Sequence, residues 1–280
     1  MKATLRSFLL LVFFPIAFPS IASSLLIDPQ PLVFLSGGIS ASLSHSLTVP
    51  IDVVKTRQQQ DPRFKGQEDL IENTKTIVEE DGILKLFSGS LPTLTGYFLQ
   101  GSLKYGFYDA FKPLTSHLTE ENVVNLLIAA GLAELIGTTV LTPLEASRIK
   151  QVASSDLSFV EALSQPSFES LQPCLLKMLP YTMVQLSTYE VMRSSQVPQV
   201  PAALISAVLS SLASQPGDAL LSYSTRDEGF SVFEGVKDLG LDGLFGGTKA
   251  RLLQMVVIVS VQLLVNDSIR AALGLGVVGV

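Results

Sequence analysis

The feature that most constrains this chain is an internal repeat, in which three kinds of short element each occur three times in the same order. The first kind has an acid two residues after a proline and, in two of its three copies, a base three residues after the acid. Its copies are Pro50, Asp52 and Lys55; Pro143, Glu145 and Arg148; and Pro216, Asp218 and Leu221. Self-similarity of this kind indicates one supersecondary unit that is repeated along the chain.

The second kind of element is an acid followed three residues later by a base. Its copies are Asp109 and Lys112, Glu190 and Arg193, and Asp267 and Arg270. The third kind is a phenylalanine followed two residues later by a small residue, which is Gly89, Ser170 or Gly247. Each acid of the second kind comes 20 residues after that small residue. This equal spacing predicts three repeats of one structure, over residues 32–114, 122–195 and 201–272.

Each repeat contains two apolar stretches. They are Pro31–Val49, Pro92–Phe111, Asn122–Thr142, Leu171–Met192, Pro201–Ala213 (extended to about Ser222) and Ala250–Val265. Only 16% of the residues are charged, whereas about 25% is usual in a soluble domain. We therefore predict an all-α membrane protein with six transmembrane helices around a polar interior, and short surface helices in connectors such as 62–78 and 154–169.

These motifs resemble those of the mitochondrial carrier family, whose odd helices carry Pro-x-acid-x-x-base and whose even helices carry aromatic-acid-x-x-base. The resemblance covers roughly residues 32–271. It implies a six-helix bundle with pseudo-threefold symmetry, three short helices on the matrix side and both termini on one side. It also implies a transporter and not an enzyme.

The repeated charges are interpreted as two gates. A proline within a helix removes a backbone hydrogen bond and kinks the helix, so we expect the odd helices to converge at their proline ends. The matrix-side gate then consists of Asp52, Lys55, Glu145, Arg148 and Asp218, and the cytoplasmic-side gate of Asp109, Lys112, Glu190, Arg193, Asp267 and Arg270. Because Leu221 replaces the third matrix-side base, we predict a resting state that is open to the matrix.

The closest resemblance is to the phosphate carriers of that family, through runs such as Gln-Gly-x-x-Lys-x-Gly-Phe-Tyr in the second span. It implies that Gln100, Lys104 and Gln185 bind phosphate, and that His45 and Glu134 couple a proton, by symport or by hydroxide exchange. Ionisable residues at mid-membrane depth are functional candidates on physical grounds as well, and a histidine titrates near neutral pH. His45 taken alone also fits a hydrogen-bonded helix contact.

Two positions depart from the phosphate-carrier pattern. Gln185 stands where that subfamily has a lysine, and Thr138 stands where it has an aspartate. One acid and one base are lost together, so the local charge balance is kept. We expect a lower affinity for the anion, because a charge-assisted hydrogen bond is replaced by a neutral one.

Composition excludes several other kinds of protein. One cysteine and two histidines are too few for a disulfide framework or for most metal sites, so no metal or cofactor is expected. A net charge of −6 offers no basic surface for nucleic acid.

The expected partners are phosphate, a proton and membrane lipid, with the protein acting as a monomer. A secreted enzyme is disfavoured, since the chain shows no nucleophile–base set and no phosphate loop.

Residues 1–24 predict a targeting segment, with Lys2 and Arg6 before a short apolar run and small residues after it. The family resemblance points to the mitochondrial inner membrane, whereas this segment favours the secretory route and a plastid envelope. Two functions stay open from sequence: a phosphate-type transporter, and a carrier-fold protein that moves another small anion or serves as a non-transporting scaffold.

Overall fold

The computed structural model describes residues 31–60, 69–118, 121–153, 157–164, 171–224, 232–245 and 248–275. Residues 1–24, Ser170 and Gly247 lie outside this part of the chain, so the predicted targeting segment and two copies of the third repeated element are not described. The described residues contain six long α-helices, three short α-helices and one 3₁₀ helix, Ile83–Phe87. The long helices are α1 (Pro31–Gln60), α3 (Ser90–Thr115), α4 (Asn122–Ala153), α6 (Leu171–Ser194), α7 (Gln199–Ser224) and α9 (Thr248–Ala272).

The short helices lie in the connectors, as the repeat predicts. They are α2 (Leu70–Glu80), α5 (Phe159–Ser164) and α8 (Val232–Leu244). Asp69 caps α2 by accepting hydrogen bonds from the amides of Ile71 and Glu72 at 2.8 and 3.2 Å, which satisfies two donors that a helix start leaves without a partner.

The six long helices form a closed ring. Each packs against its neighbours in chain order, and α9 returns to pack against α1. Close approach depends on small residues: a side chain at Gly37 of α1 would begin 2.6 Å from the carbonyl oxygen of Gly101 on α3. The prediction of a six-helix bundle is confirmed.

The polarity of this ring is reversed relative to a water-soluble protein. Leucines such as Leu47 and Leu135 are exposed on its outside, while polar side chains such as Ser40, Glu134 and Gln262 are fully buried. Three segments among the described helices are long and apolar enough to cross a membrane: Pro31–Arg57, Asn122–Val152 and Gln254–Ala272. The helices α3, α6 and α7 have 26, 24 and 26 residues, and about 20 residues are enough to cross a bilayer.

The odd helices extend well beyond the predicted apolar stretches. Pro50, Pro143 and Pro216 lie inside α1, α4 and α7, and each helix continues past its proline. The repeated acids of the first kind are therefore helical. We call the end of the bundle that carries these prolines the proline end, and the other end, with Asp109, Glu190 and Asp267, the opposite end.

Candidate functional site: a cavity between two sets of ion pairs

A partly open cavity lies inside the ring at the proline end, with an empty volume of about 540 Å³. All six long helices contribute to its lining. The five residues predicted for the matrix-side gate are all among the lining residues: Asp52, Lys55, Glu145, Arg148 and Asp218. The three proline-bearing segments thus surround one common space.

The charges of the proline end do not pair from one odd helix to the next in the described residues. Arg148 pairs with Glu145 of its own helix at 2.7 Å. Lys55 donates to Gln254 of α9 at 3.0 Å, and Gln254 donates in turn to Asp52. The described charges of this end therefore form no ring of ion pairs between the odd helices that would close the cavity.

Asp218 has two cationic partners that sequence analysis missed. Lys177 of α6 lies 3.2 Å from its carboxylate, and Arg251 of α9 forms a second ion pair with it. Arg251 also donates to Ser214 at 2.7 Å. Asp218 of the third repeat thus receives its cations from the even helices α6 and α9. The sequence could have indicated both residues, because each is an ionisable residue within a predicted span. Lys104 was selected on the same ground.

The opposite end is held by ion pairs between even helices. Lys112 of α3 lies 3.2 Å from Glu190 of α6, and Arg270 of α9 lies 2.7 Å from Asp109 of α3. Arg193 instead donates to the carbonyl of Val197 at 2.9 Å.

Two tyrosine hydroxyls support the acids at this end. Tyr108 donates to Glu190 at 2.7 Å, and Tyr189 donates to Asp267 at 2.6 Å. Both hydrogen bonds join different helices. The even helices therefore converge at the opposite end, while the proline end holds the cavity.

Glu134 lies at the centre of a buried hydrogen-bond network. Its carboxylate accepts hydrogen bonds from Gln100 at 3.0 Å and from Thr138 and Thr182 at 2.5 Å. The side chain is fully buried, and the network joins α3, α4 and α6. The Gln100 amide nitrogen donates to both oxygens of Glu134 at 3.0 Å, so Gln100 lies beside Glu134 inside the ring.

Lys104 and Gln185 are also buried inside the ring. The Lys104 ammonium lies 5.1 Å from the ring centre of Tyr105 and 5.9 Å from that of Tyr181, distances at which a cation is attracted by an aromatic face. Gln185 is fully buried, and neither atom of its amide group has a hydrogen-bond partner in the described part of the chain. Neither residue points into lipid.

His45 is placed in the wall of the cavity. Its ring stacks on that of Tyr97, with ring centres 3.5 Å apart and planes inclined by 7°. His45 therefore joins α1 to α3 by ring stacking and lies beside the cavity.

Comparison with known proteins gives the same assignment as the repeats. Residues 29–118 match the family described as "Mitochondrial carrier protein". The chain is 31% identical over 293 residues to "Mitochondrial substrate carrier family protein N" of Dictyostelium discoideum, an alignment that covers 89% of this chain and 97% of that protein. This chain belongs to the mitochondrial carrier family.

Two further members of the family show the range of its relatives. The chain is 29% identical over 272 residues to "Solute carrier family 25 member 3" of Homo sapiens, covering 84% of this chain and 74% of that protein. It is 27% identical over 290 residues to "Probable mitochondrial phosphate carrier protein" of Schizosaccharomyces pombe, covering 89% and 92%. Members of the mitochondrial carrier family are membrane transporters, and this one is a multi-pass helical membrane protein.

Proposed function

We propose that this mitochondrial carrier transports inorganic phosphate together with a proton, or in exchange for hydroxide, by alternating access. Relatives named as phosphate carriers support phosphate as the substrate. The observation that carries the proposal is the asymmetry of the bundle, which has a cavity at one end and ion pairs between helices at the other. A transporter that alternates between two open states needs this arrangement in one of them.

In this proposal the repeated charges act as gates. The pairs at the opposite end hold the bundle shut on the cytoplasmic side, while the proline end is open to the matrix. Opening the closed end requires Lys112 to leave Glu190 and Arg270 to leave Asp109. These side chains are 7–25% exposed, so water can replace part of the interaction and the pairs can break repeatedly.

The groups inside the ring are assigned to the substrate and the proton. Lys104 supplies the positive charge for the anion, and Gln185 and Gln100 supply neutral amides. His45, in the cavity wall, and Glu134, in the buried network, carry the proton. Glu134 already accepts from three side chains, so a change in its protonation would rearrange contacts among three helices.

The test is phosphate uptake by purified protein in liposomes. We expect radioactive phosphate to enter faster when the outside is more acidic than the inside, and this acceleration to vanish when an ionophore collapses the pH difference. Lys104→Gln should lower uptake by about tenfold or more because a charge-assisted contact is lost, whereas Lys75→Gln, at an exposed position on α2, should leave it unchanged. Monodisperse wild-type protein that moves no phosphate would refute the proposal.

A second function is favoured by one observation. Gln185 replaces the lysine of phosphate carriers, and its amide is buried without a partner among the described residues. A carrier that moves another small anion, or a carrier-fold scaffold that moves none, fits this loss of charge. Flux of a different anion in the same liposomes would support the first of these, and absence of flux for every tested anion the second.

The compartment and the oligomeric state complete the proposal. We propose the mitochondrial inner membrane and a monomer, with a plastid envelope as the alternative that residues 1–24 suggest. A fluorescent fusion of the whole chain should colocalise with mitochondria. Plastid fluorescence that is lost when residues 1–24 are deleted would favour the alternative.

A further inference from the structure

Three buried side chains occupy the same position in the three repeats. Lys104, Gln185 and Gln262 each come five residues before the acid of the opposite end. Their exposed fractions are 1%, 0% and 0%. Gln262 was not identified from the sequence, and it extends the pair of Lys104 and Gln185 to a threefold set.

All three side chains lie on the helix faces that meet inside the ring. Residues four apart share a face of a helix, and the residues four positions further on are Tyr108, Tyr189 and Asn266. The Tyr108 and Tyr189 hydroxyls reach across to neighbouring even helices, so these faces point toward the shared axis. Lys104, Gln185 and Gln262 therefore form one layer between α3, α6 and α9.

This layer lies just beyond the inner end of the cavity. Tyr181 and Ile258 line the cavity and precede Gln185 and Gln262 by four residues, which is about one helical turn or 5.4 Å. The layer thus separates the cavity from the ion pairs of the opposite end. A solute that crosses the bundle along its axis has to pass it.

The amides of this layer lack partners. Neither the nitrogen nor the oxygen of Gln185 or of Gln262 accepts or donates a hydrogen bond in the described structure, and the same holds for Asn266 one turn further on. Buried polar groups in folded proteins are almost always hydrogen-bonded, so each exception needs a cause. Gln100, by contrast, donates to Glu134, which shows that a buried amide in this ring can be satisfied.

We propose that Lys104, Gln185 and Gln262 together bind the transported oxyanion, and that they bind it in a form that carries at least one hydroxyl hydrogen. This inference rests on the proposed function. The ammonium and the two amide nitrogens donate to the charged oxygens. The two amide oxygens can only accept and have no donor in the described structure, and the hydroxyl of a protonated phosphate supplies one.

The arrangement has a consequence for specificity. Sulfate has the same tetrahedral shape, but it carries no hydrogen at neutral pH, so it would leave both amide oxygens unpaired. A site built to accept a hydrogen bond rejects an analogue without the donor much more strongly than shape alone would achieve. Phosphate and monoalkyl phosphonates retain the hydroxyl, so the layer should select them over sulfate.

The first test changes the new residue in proteoliposomes that take up phosphate. We expect Gln262→Met, which keeps the length of the side chain and removes both polar atoms, to reduce phosphate uptake by about tenfold. The control is Gln172→Met at an exposed position on α6, and we expect it to match the wild type. Equal uptake by the two variants would overturn the assignment of Gln262, while absence of uptake by the wild-type protein would instead refute the proposed function.

The second test uses the wild-type protein, so it does not depend on the folding of a variant. Methylphosphonate and sulfate are compared as competitors of phosphate uptake at pH 7. We expect methylphosphonate to inhibit at a concentration about tenfold lower than sulfate. Inhibition by sulfate at the same concentration as methylphosphonate would contradict the requirement for a hydroxyl hydrogen.

Discussion

Glu134 and Lys104 are ionisable residues inside the ring, and each has stabilising contacts. Glu134 accepts hydrogen bonds from three side chains, and the Lys104 ammonium lies within 6 Å of the ring centres of two tyrosines. The sequence could indicate that both residues matter, because a charge at mid-membrane depth is costly. It could not indicate that Gln100 serves Glu134, since that contact joins different helices and depends on their rotation about their axes.

The first residue-scale prediction concerns this network. Thr182→Val removes one donor to the Glu134 carboxylate while keeping the shape of the side chain. Hydrogen bonds to charged groups contribute about 1.5–3 kcal/mol, so we expect a lower thermal unfolding temperature for the detergent-purified protein. Thr139→Val is the control, since Thr139 is bonded only to the Leu135 carbonyl of its own helix in the described contacts. Equal unfolding temperatures for the two variants would contradict the network's role.

The second residue-scale prediction concerns the departure at Gln185. Gln185→Lys restores the lysine of phosphate carriers and adds a second cation beside Lys104. Charge-assisted hydrogen bonds are about twice as strong as neutral ones, so we expect a lower KM for phosphate uptake in liposomes. Gln172→Lys, at an exposed site on the same helix, should leave KM unchanged. A KM equal to that of Gln172→Lys would contradict contact between Gln185 and the anion.

At the scale of helices, the existence and order of all six long elements were predictable, and their ends were not. Apolar stretches stop near Val49 and Thr142, but α1 and α4 continue to Gln60 and Ala153. The reason is physical: the segments after Pro50 and Pro143 are polar because they line a cavity, and a helix needs backbone hydrogen bonds more than apolar side chains. The ends of the apolar stretches therefore do not mark the ends of these helices.

The pairing of the third repeat is a second feature at this scale that sequence left undetermined. Because Leu221 replaces the third base, the sequence predicted a matrix-side gate that lacks one ion pair. The structure instead provides Asp218 with Lys177 and Arg251 from two even helices. Both cations are visible in the sequence as charges within apolar stretches, yet only the packing of α6 and α9 against α7 reveals their partner.

The element-scale prediction concerns the ion pairs of the opposite end. Glu190→Gln removes the anionic partner of Lys112 while leaving an oxygen that can still accept from Tyr108. We expect the closed end to lose about 1 kcal/mol, because a partly exposed pair contributes little more, and the thermal unfolding temperature in detergent to fall. The matched control is Glu79→Gln, at an exposed position on α2. An unfolding temperature equal to that of the control would contradict a stabilising pair between α3 and α6.

At the scale of the whole molecule, the threefold repeat determined the architecture. Equal spacing between repeated elements requires equivalent positions in space, and the closed ring of six helices provides them. The repeat could not predict which end of the bundle holds a cavity and which end holds ion pairs between helices. The elements at both ends consist of acids and bases in similar numbers, and only the contacts distinguish a cavity from a set of ion pairs.

The central claim is that one end of the bundle is open while the other is closed, and that the two alternate. The most direct test places a reporter in the cavity by Met255→Cys in a Cys174→Ser background, with Val257→Cys on the outer face of the same helix as the control. A membrane-impermeant maleimide is applied from each side of vesicles of known orientation. Without phosphate, we predict that the maleimide labels the Met255→Cys reporter from the side of the proline end. With phosphate, we predict that it also labels the reporter from the side of the opposite end. We predict no labelling of the control from either side. Greater protection at the proline end at rest, or no effect of phosphate, would contradict the account.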